Sequence, residues 1–156
     1  MSIDAILNRI DAELPASMDR LMELLRIPSI STDPAFKSDV DKAADWLTNE
    51  LQELGIAAEK RPTTGHPMVV GHVEGDGPHL LFYGHYDVQP VDPLELWSRD
   101  PFDPALEETP NGTVIRGRGS SALSQTVSQI RSRNASSGKP HSAHVALSGP
   151  ALAPQW

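Results

Sequence analysis

The chain has 156 residues, enough for one domain or for one part of a larger one. Its 21 Asp and Glu against 13 Lys and Arg give a formal net charge of −8, which argues against a nucleic-acid binder, and the absence of cysteine excludes a disulfide framework, a thiolate zinc finger and a cysteine nucleophile. No apolar run approaches the roughly eighteen residues of a membrane helix, and the start, MSIDAILNRIDAEL, lacks the basic-then-apolar order of a signal peptide, so a cytoplasmic protein with no membrane partner is expected.

The charge is unevenly placed. All the acids lie at or before Glu108, whereas residues 120–156 hold only the bases Arg131, Arg133 and Lys139. That segment is also rich in Ser, Ala and Pro. The two parts are expected to differ in origin or physical state.

Residues 3–26 repeat apolar side chains at helical spacing: Ile3, Ile6, Leu7, Ile10 and Leu14, then Met18, Leu21, Leu24 and Leu25. Pro15 is expected to kink or divide this helix, and Pro28 to stop it. A second helix is expected over 39–54, with Ser38 as its cap. Val40, Ala43, Ala44, Leu47, Leu51 and Leu54 form its apolar face, and Gly55 supplies its left-handed end.

Three strands follow: Ile56–Lys60, Pro67–Val73 and His79–Tyr83. The last is an apolar run of the kind covered on both faces. Glu74-Gly-Asp-Gly77 reads as a hairpin turn between the second and third. Residues 88–111 carry five prolines and are expected to form a long functional loop. Asn111-Gly112 then introduces a strand over Thr113–Arg116. Ala122–Ile130 reads as a weak helix, and 131–156 as disordered. Helices followed by strands predict an α/β layer architecture with a sheet that could be mixed.

The sharpest local feature is Gly84-His-Tyr-Asp-Val-Gln-Pro90, directly after the apolar strand. Ligands of open α/β sheets gather at strand carboxyl ends. Along extended chain His85 and Asp87 share a side, so the carboxylate could fix the imidazole tautomer of a metal-bound histidine. A hydrogen-bonded structural pair fits the same residues, and zinc needs three or four ligands. His66, His72 and His79 match no ligand spacing. His141 and His144 lie in the proline-rich tail. Gly117-Arg118-Gly119 could be a tight turn or could bring an arginine beside a site. No nucleophile-elbow, His-Glu-x-x-His or phosphate-loop pattern occurs.

LLFYGHYDVQP, LELWSRDPFDP and NGTVIRGRGSS, in this order and spacing, closely resemble the zinc-dependent M20 peptidase family of aminoacylases, carnosinase-type dipeptidases and carboxypeptidase G. LLRIPSIS and MVVGHVEGDGPHLLFYGHYD fit the same pattern, and HYDVQP resembles the dipeptidase branch. The resemblance covers about residues 3–121. It implies that His85 is a metal ligand and that Asp87, as the catalytic-site carboxylate, orients it. It also implies two zinc ions, a water activated by a glutamate base, and hydrolysis of a dipeptide or N-acyl amino acid. The family fold is an α/β catalytic domain with a smaller inserted domain often used for homodimerisation.

After Gly-Arg-Gly-Ser-Ser the family continues Asp-Asp-Lys-Gly, its first aspartate bridging the metals. This chain reads Ala122-Leu-Ser-Gln125, and no acid follows Glu108 to supply the later Glu-Glu pair. Two parts are therefore expected. Residues 1–121 form an incomplete amino-terminal piece of the catalytic domain, two helices followed by a mixed sheet. Residues 122–156 are an unrelated or out-of-frame, disordered tail. A chain so built is expected to be inactive on its own, the alternative reading being a non-catalytic remnant or an interaction module on the same scaffold.

Overall fold

The computed structural model describes residues 2–76 and 81–121, together with the backbone course of 141–148. The fold is α/β: two helices, then a mixed four-stranded sheet and a separate two-stranded hairpin.

Helix α1 spans Ile3–Leu25, with the Ser2 hydroxyl accepting from the Ala5 N–H at its start. It runs through Pro15 without dividing, so of the two outcomes expected there, a kink or a division, the second does not occur. Proline removes one helical hydrogen bond, and the carbonyl it leaves, that of Asp11, lies in a turn exposed to water. Only the last turns are covered: Met22, Leu24 and Leu25 are buried, whereas Ile3, Ile6, Leu7, Ile10 and Leu14 are exposed.

Helix α2 spans Lys37–Glu53. Ser38 does not cap it. The chain enters through a single 3-10 turn at Pro34–Phe36, and the Asp33 carboxylate takes the Ala35 N–H at 2.9 Å. The helix ends as expected at Gly55, with φ +79°. The Gly55 N–H bonds the Gln52 carbonyl and the Ile56 N–H bonds that of Leu51, so two terminal carbonyls are satisfied.

Strands β1 (Ala57–Arg61) and β2 (Met68–Gly75) are antiparallel neighbours. Alternation along β2 buries Val69 and Gly71 under α2, where Val69 joins Leu24, Val40, Ala43, Ala44 and Tyr86 in the core. Met68, Val70, His72 and Glu74 therefore share the opposite face. A Cβ on Gly71 would come within 2.8 Å of Ile56 Cγ2, so this glycine sets how closely the α2–β1 connection approaches the sheet.

The next pairing was not foreseen. Strand β3 (Leu81–Gly84) does not form a hairpin with β2. Strand β6 (His141–Ser148) lies between them, antiparallel to β2 and parallel to β3, giving the order β1-β2-β6-β3. These eight residues fall inside the segment expected to lack order. Their sequence, HSAHVALS, carries a period-2 run that can fill a strand slot once two edges flank it. The expected weak helix at 122–130 and the rest of that segment lie outside the described residues, as do Gly77–Leu80. Nor is β3 covered on both faces: Leu81, Phe82 and Tyr83 are 37–51 % exposed.

The proline-rich segment holds a 3-10 turn at Leu94–Leu96 and then strand β4 (Ala105–Thr109), inside the stretch 88–111 expected to be all loop. β4 pairs with β5 (Gly112–Arg116), the strand expected after Asn111-Gly112, and Gly112 takes φ +107° at the turn.

Candidate metal-ligand site at the end of strand β3

His85 follows directly on β3, at the strand's carboxyl end. The extended chain beyond Gly84 brings His85 and Asp87 to one side. His85 Nδ1 stands 3.3 Å from Asp87 Oδ1 and 3.1 Å from the Asp87 main-chain oxygen. Both neighbours only accept hydrogen bonds, so Nδ1 carries the proton and a neutral ring keeps its lone pair on Nε2. The His85 side chain is 42 % exposed, whereas that of Asp87 is 4 % exposed. An accessible lone pair backed by a buried carboxylate is the donor arrangement of an oriented metal ligand.

The support under this pair comes from the Pro28–Ser31 segment after α1. Ile30 bridges Val88 in parallel, and the Val88 N–H donates to the Ser29 carbonyl at 3.0 Å. The Ser29 hydroxyl donates to the Tyr86 carbonyl at 2.8 Å, and the Ser31 hydroxyl to Asp87 Oδ2 at 2.6 Å. Asp87 Oδ1 is buried with no hydrogen-bond partner. That oxygen faces the imidazole at 3.3 Å, so its charge acts on His85.

Tyr86 points the other way, into the core, and its hydroxyl donates to the Pro67 carbonyl at 2.5 Å. Burial, then the charges of Asp87 and Asp41, push this phenol well above its ordinary range, so it stays a donor. His66, which matches no ligand spacing in the sequence, places Nε2 2.7 Å from the Ser31 carbonyl and so braces the serine that holds Asp87.

Arg118, left open between a turn and a site residue, does neither job alone. Its N–H bonds the Pro101 carbonyl at 2.7 Å, and its Nε donates to the Gln89 carbonyl at 2.8 Å, two residues beyond Asp87. It pins the loop after the site to the turn that follows β5. Trp97 Nε1 ties the same loop to the Val91 carbonyl. Sequence reading missed Ser29 and Ser31. Their signal was the Pro28 stop followed by alternating serines, which is a strand-pairing pattern with no chemistry of its own.

Among the described residues no three His, Asp or Glu side chains converge. The residues in place supply one ligand and its orienting carboxylate, which is less than a divalent ion requires. They fit part of a metal site and cannot hold an ion unaided. His79 lies outside the described residues, and His72 sits on the far face of the sheet.

No family model matches the chain. It is 33 % identical over 114 residues to the Cys-Gly metallodipeptidase dug1 of Schizosaccharomyces pombe, covering 65 % of this chain and 24 % of that protein. Among solved structures it resembles the dipeptidase Dug1p of Saccharomyces cerevisiae, with a TM-score of 0.71 at 21 % identity over 95 % of this chain and 34 % of the other. It also resembles an M20 family metallo-carboxypeptidase of Sulfolobus solfataricus, with a TM-score of 0.61 at 27 % identity over 85 % and 30 %. The chain thus spans about a quarter of the length of the curated relatives it matches.

Proposed function

We propose that the chain belongs, over its aligned residues, to the M20 metallopeptidase family and contributes the first metal ligand of a zinc-dependent dipeptidase. The observation that carries this reading is the His85–Asp87 pair, with Nδ1 held by acceptors and Nε2 left as a donor at a strand's carboxyl end. In this reading His85 is the ligand, and Asp87 orients it and raises its basicity. Ser31 and His66 position Asp87. Bound zinc would supply Lewis acidity and a water of lowered pKa for attack on an amide carbonyl. The substrate class is a dipeptide such as Cys-Gly, or an N-acyl amino acid, and the setting is cytoplasmic.

The same reading makes the 156-residue chain inactive alone. Two-metal hydrolysis needs carboxylates to bridge and ligate the ions, and the chain has no acid after Glu108. The test is a chimera in which residues 1–121 replace the aligned stretch of the fission-yeast metallodipeptidase. The chimera is expected to hydrolyse Cys-Gly with added zinc, and His85→Gln to lower kcat/KM by about two orders of magnitude or more. The unmodified chain is expected to give no turnover. Full activity in the His85→Gln chimera would overturn the site, and turnover by the chain alone would overturn the second half of the proposal.

A further inference from the structure

Helix α1 is buried only at its far end. Met22, Leu24 and Leu25 are covered, whereas Ile3, Ile6, Leu7, Ile10 and Leu14 stand 44–74 % exposed. At 1.5 Å per residue the bare stretch from Ile3 to Leu14 runs about 17 Å. Its five aliphatic side chains leave an apolar stripe of about 500 Å², which is large for the surface of a monomer.

The spacing selects what fits the stripe. Ile3, Leu7, Ile10 and Leu14 follow in steps of four, three and four residues. That is the repeat of a coiled-coil seam, with leucine at position a and isoleucine at position d of each heptad. Pro15 then falls at b, on the outer side, where its ring leaves the seam clear. Such a seam is self-complementary, so the matching surface is the same helix of another copy. Charges flanking the seam set the direction. In a parallel pair each g position faces e of the next heptad, which brings Ile6 beside Asp11 and Glu13 beside Met18. An antiparallel pair would instead oppose Asp4 to Asp11, two like charges.

We propose that copies of this chain associate through this stripe as a parallel coiled coil of α1 helices. Each pair of copies buries about 1,000 Å² from the stripe alone, at the lower limit of a specific interface. Leucine at a with isoleucine at d favours three or four strands over two, and Ile6, at g, is the flank that added strands cover. His85 takes no part, since its support begins at Pro28, beyond the opposite end of α1.

The test measures the mass of the full chain in solution by light scattering across a concentration series. The wild type is expected at three or four times the mass of one chain. Leu7→Glu and Ile10→Glu each place a charge in the seam and are expected to weaken association at least about a hundredfold. Both positions are exposed in a single copy, so these substitutions leave the core intact. Phe82→Glu, on the exposed strand β3, is expected to leave the mass unchanged. The chain has no cysteine, which gives an independent readout: Leu7→Cys is expected to form a disulfide between copies on oxidation, and Arg9→Cys, at c, is not. A monomeric wild type would overturn the proposal and leave the stripe to a partner of another kind. So would a mass unmoved by Leu7→Glu and Ile10→Glu, or association lost only in Phe82→Glu.

Discussion

Replacing Asp87 by Asn separates what this carboxylate does for the fold from what it does for His85. The side chain is almost fully buried, accepts one hydrogen bond from Ser31 at 2.6 Å, and leaves Oδ1 without a hydrogen-bond partner. A hydrogen bond to a charged group contributes about 1.5–3 kcal/mol and a neutral one about 1, so Asn, which still accepts from Ser31, loses about 1 kcal/mol there. Against this, the substitution removes a buried charge, which costs more to bury than the neutral amide that replaces it. The two terms offset each other, and the urea midpoint of the metal-free chain should correspond to a change within about 1 kcal/mol. Metal affinity should respond differently. The main-chain oxygen of Asp87 still holds Nδ1–H, so the tautomer survives, but the charge that raises the basicity of Nε2 is gone. A loss of about 10- to 100-fold in zinc affinity is expected in the chimera. The assay pairs urea unfolding of the free chain with zinc titration of the chimera. A stability loss above about 2 kcal/mol with zinc affinity unchanged would show that Asp87 is a structural residue and refute the reasoning.

Gly71→Ala should destabilise the chain by about 1–3 kcal/mol, because the new methyl would meet Ile56 Cγ2 at 2.8 Å. Urea unfolding of the double variant with Ile56→Ala should recover part of that loss, and strictly additive effects would remove the clash as the cause. Lys60 bonds Asp45 at 2.6 Å and Asp41 at 3.0 Å, and these partners hold its ammonium above the ordinary value of 10.5 although burial opposes them. A raised folded-state value stabilises the fold fully below pH 10.5 and ceases to do so as pH rises through that higher value. Lys60→Met should therefore cost about 0.5–1 kcal/mol at pH 7, and the gap from the wild type should close above pH 10.5. A gap that is constant from pH 7 to 11.5 in urea midpoints would refute the pairing.

What could be read from the sequence was what is local. The apolar stripe of α2 and the glycine that ends it are set by residues within one or two turns, and both appear where expected. The His85–Asp87 geometry follows from extended chain two residues long, so the spacing alone sufficed. The support beneath it was not legible, because Ser31 and Asp87 are brought together by tertiary packing and neither serine has a distinctive neighbour. Pro101, Pro104 and Pro110 masked β4, although proline beside a short outlying hairpin breaks no ladder bond within it.

The largest departure lies in the sheet. Apolar character predicted β3 correctly but could not say which strand would lie beside it. Glu74-Gly-Asp-Gly77 looked like a hairpin turn because turn chemistry is local, whereas the strand that separates β2 from β3 comes from more than fifty residues further along the chain.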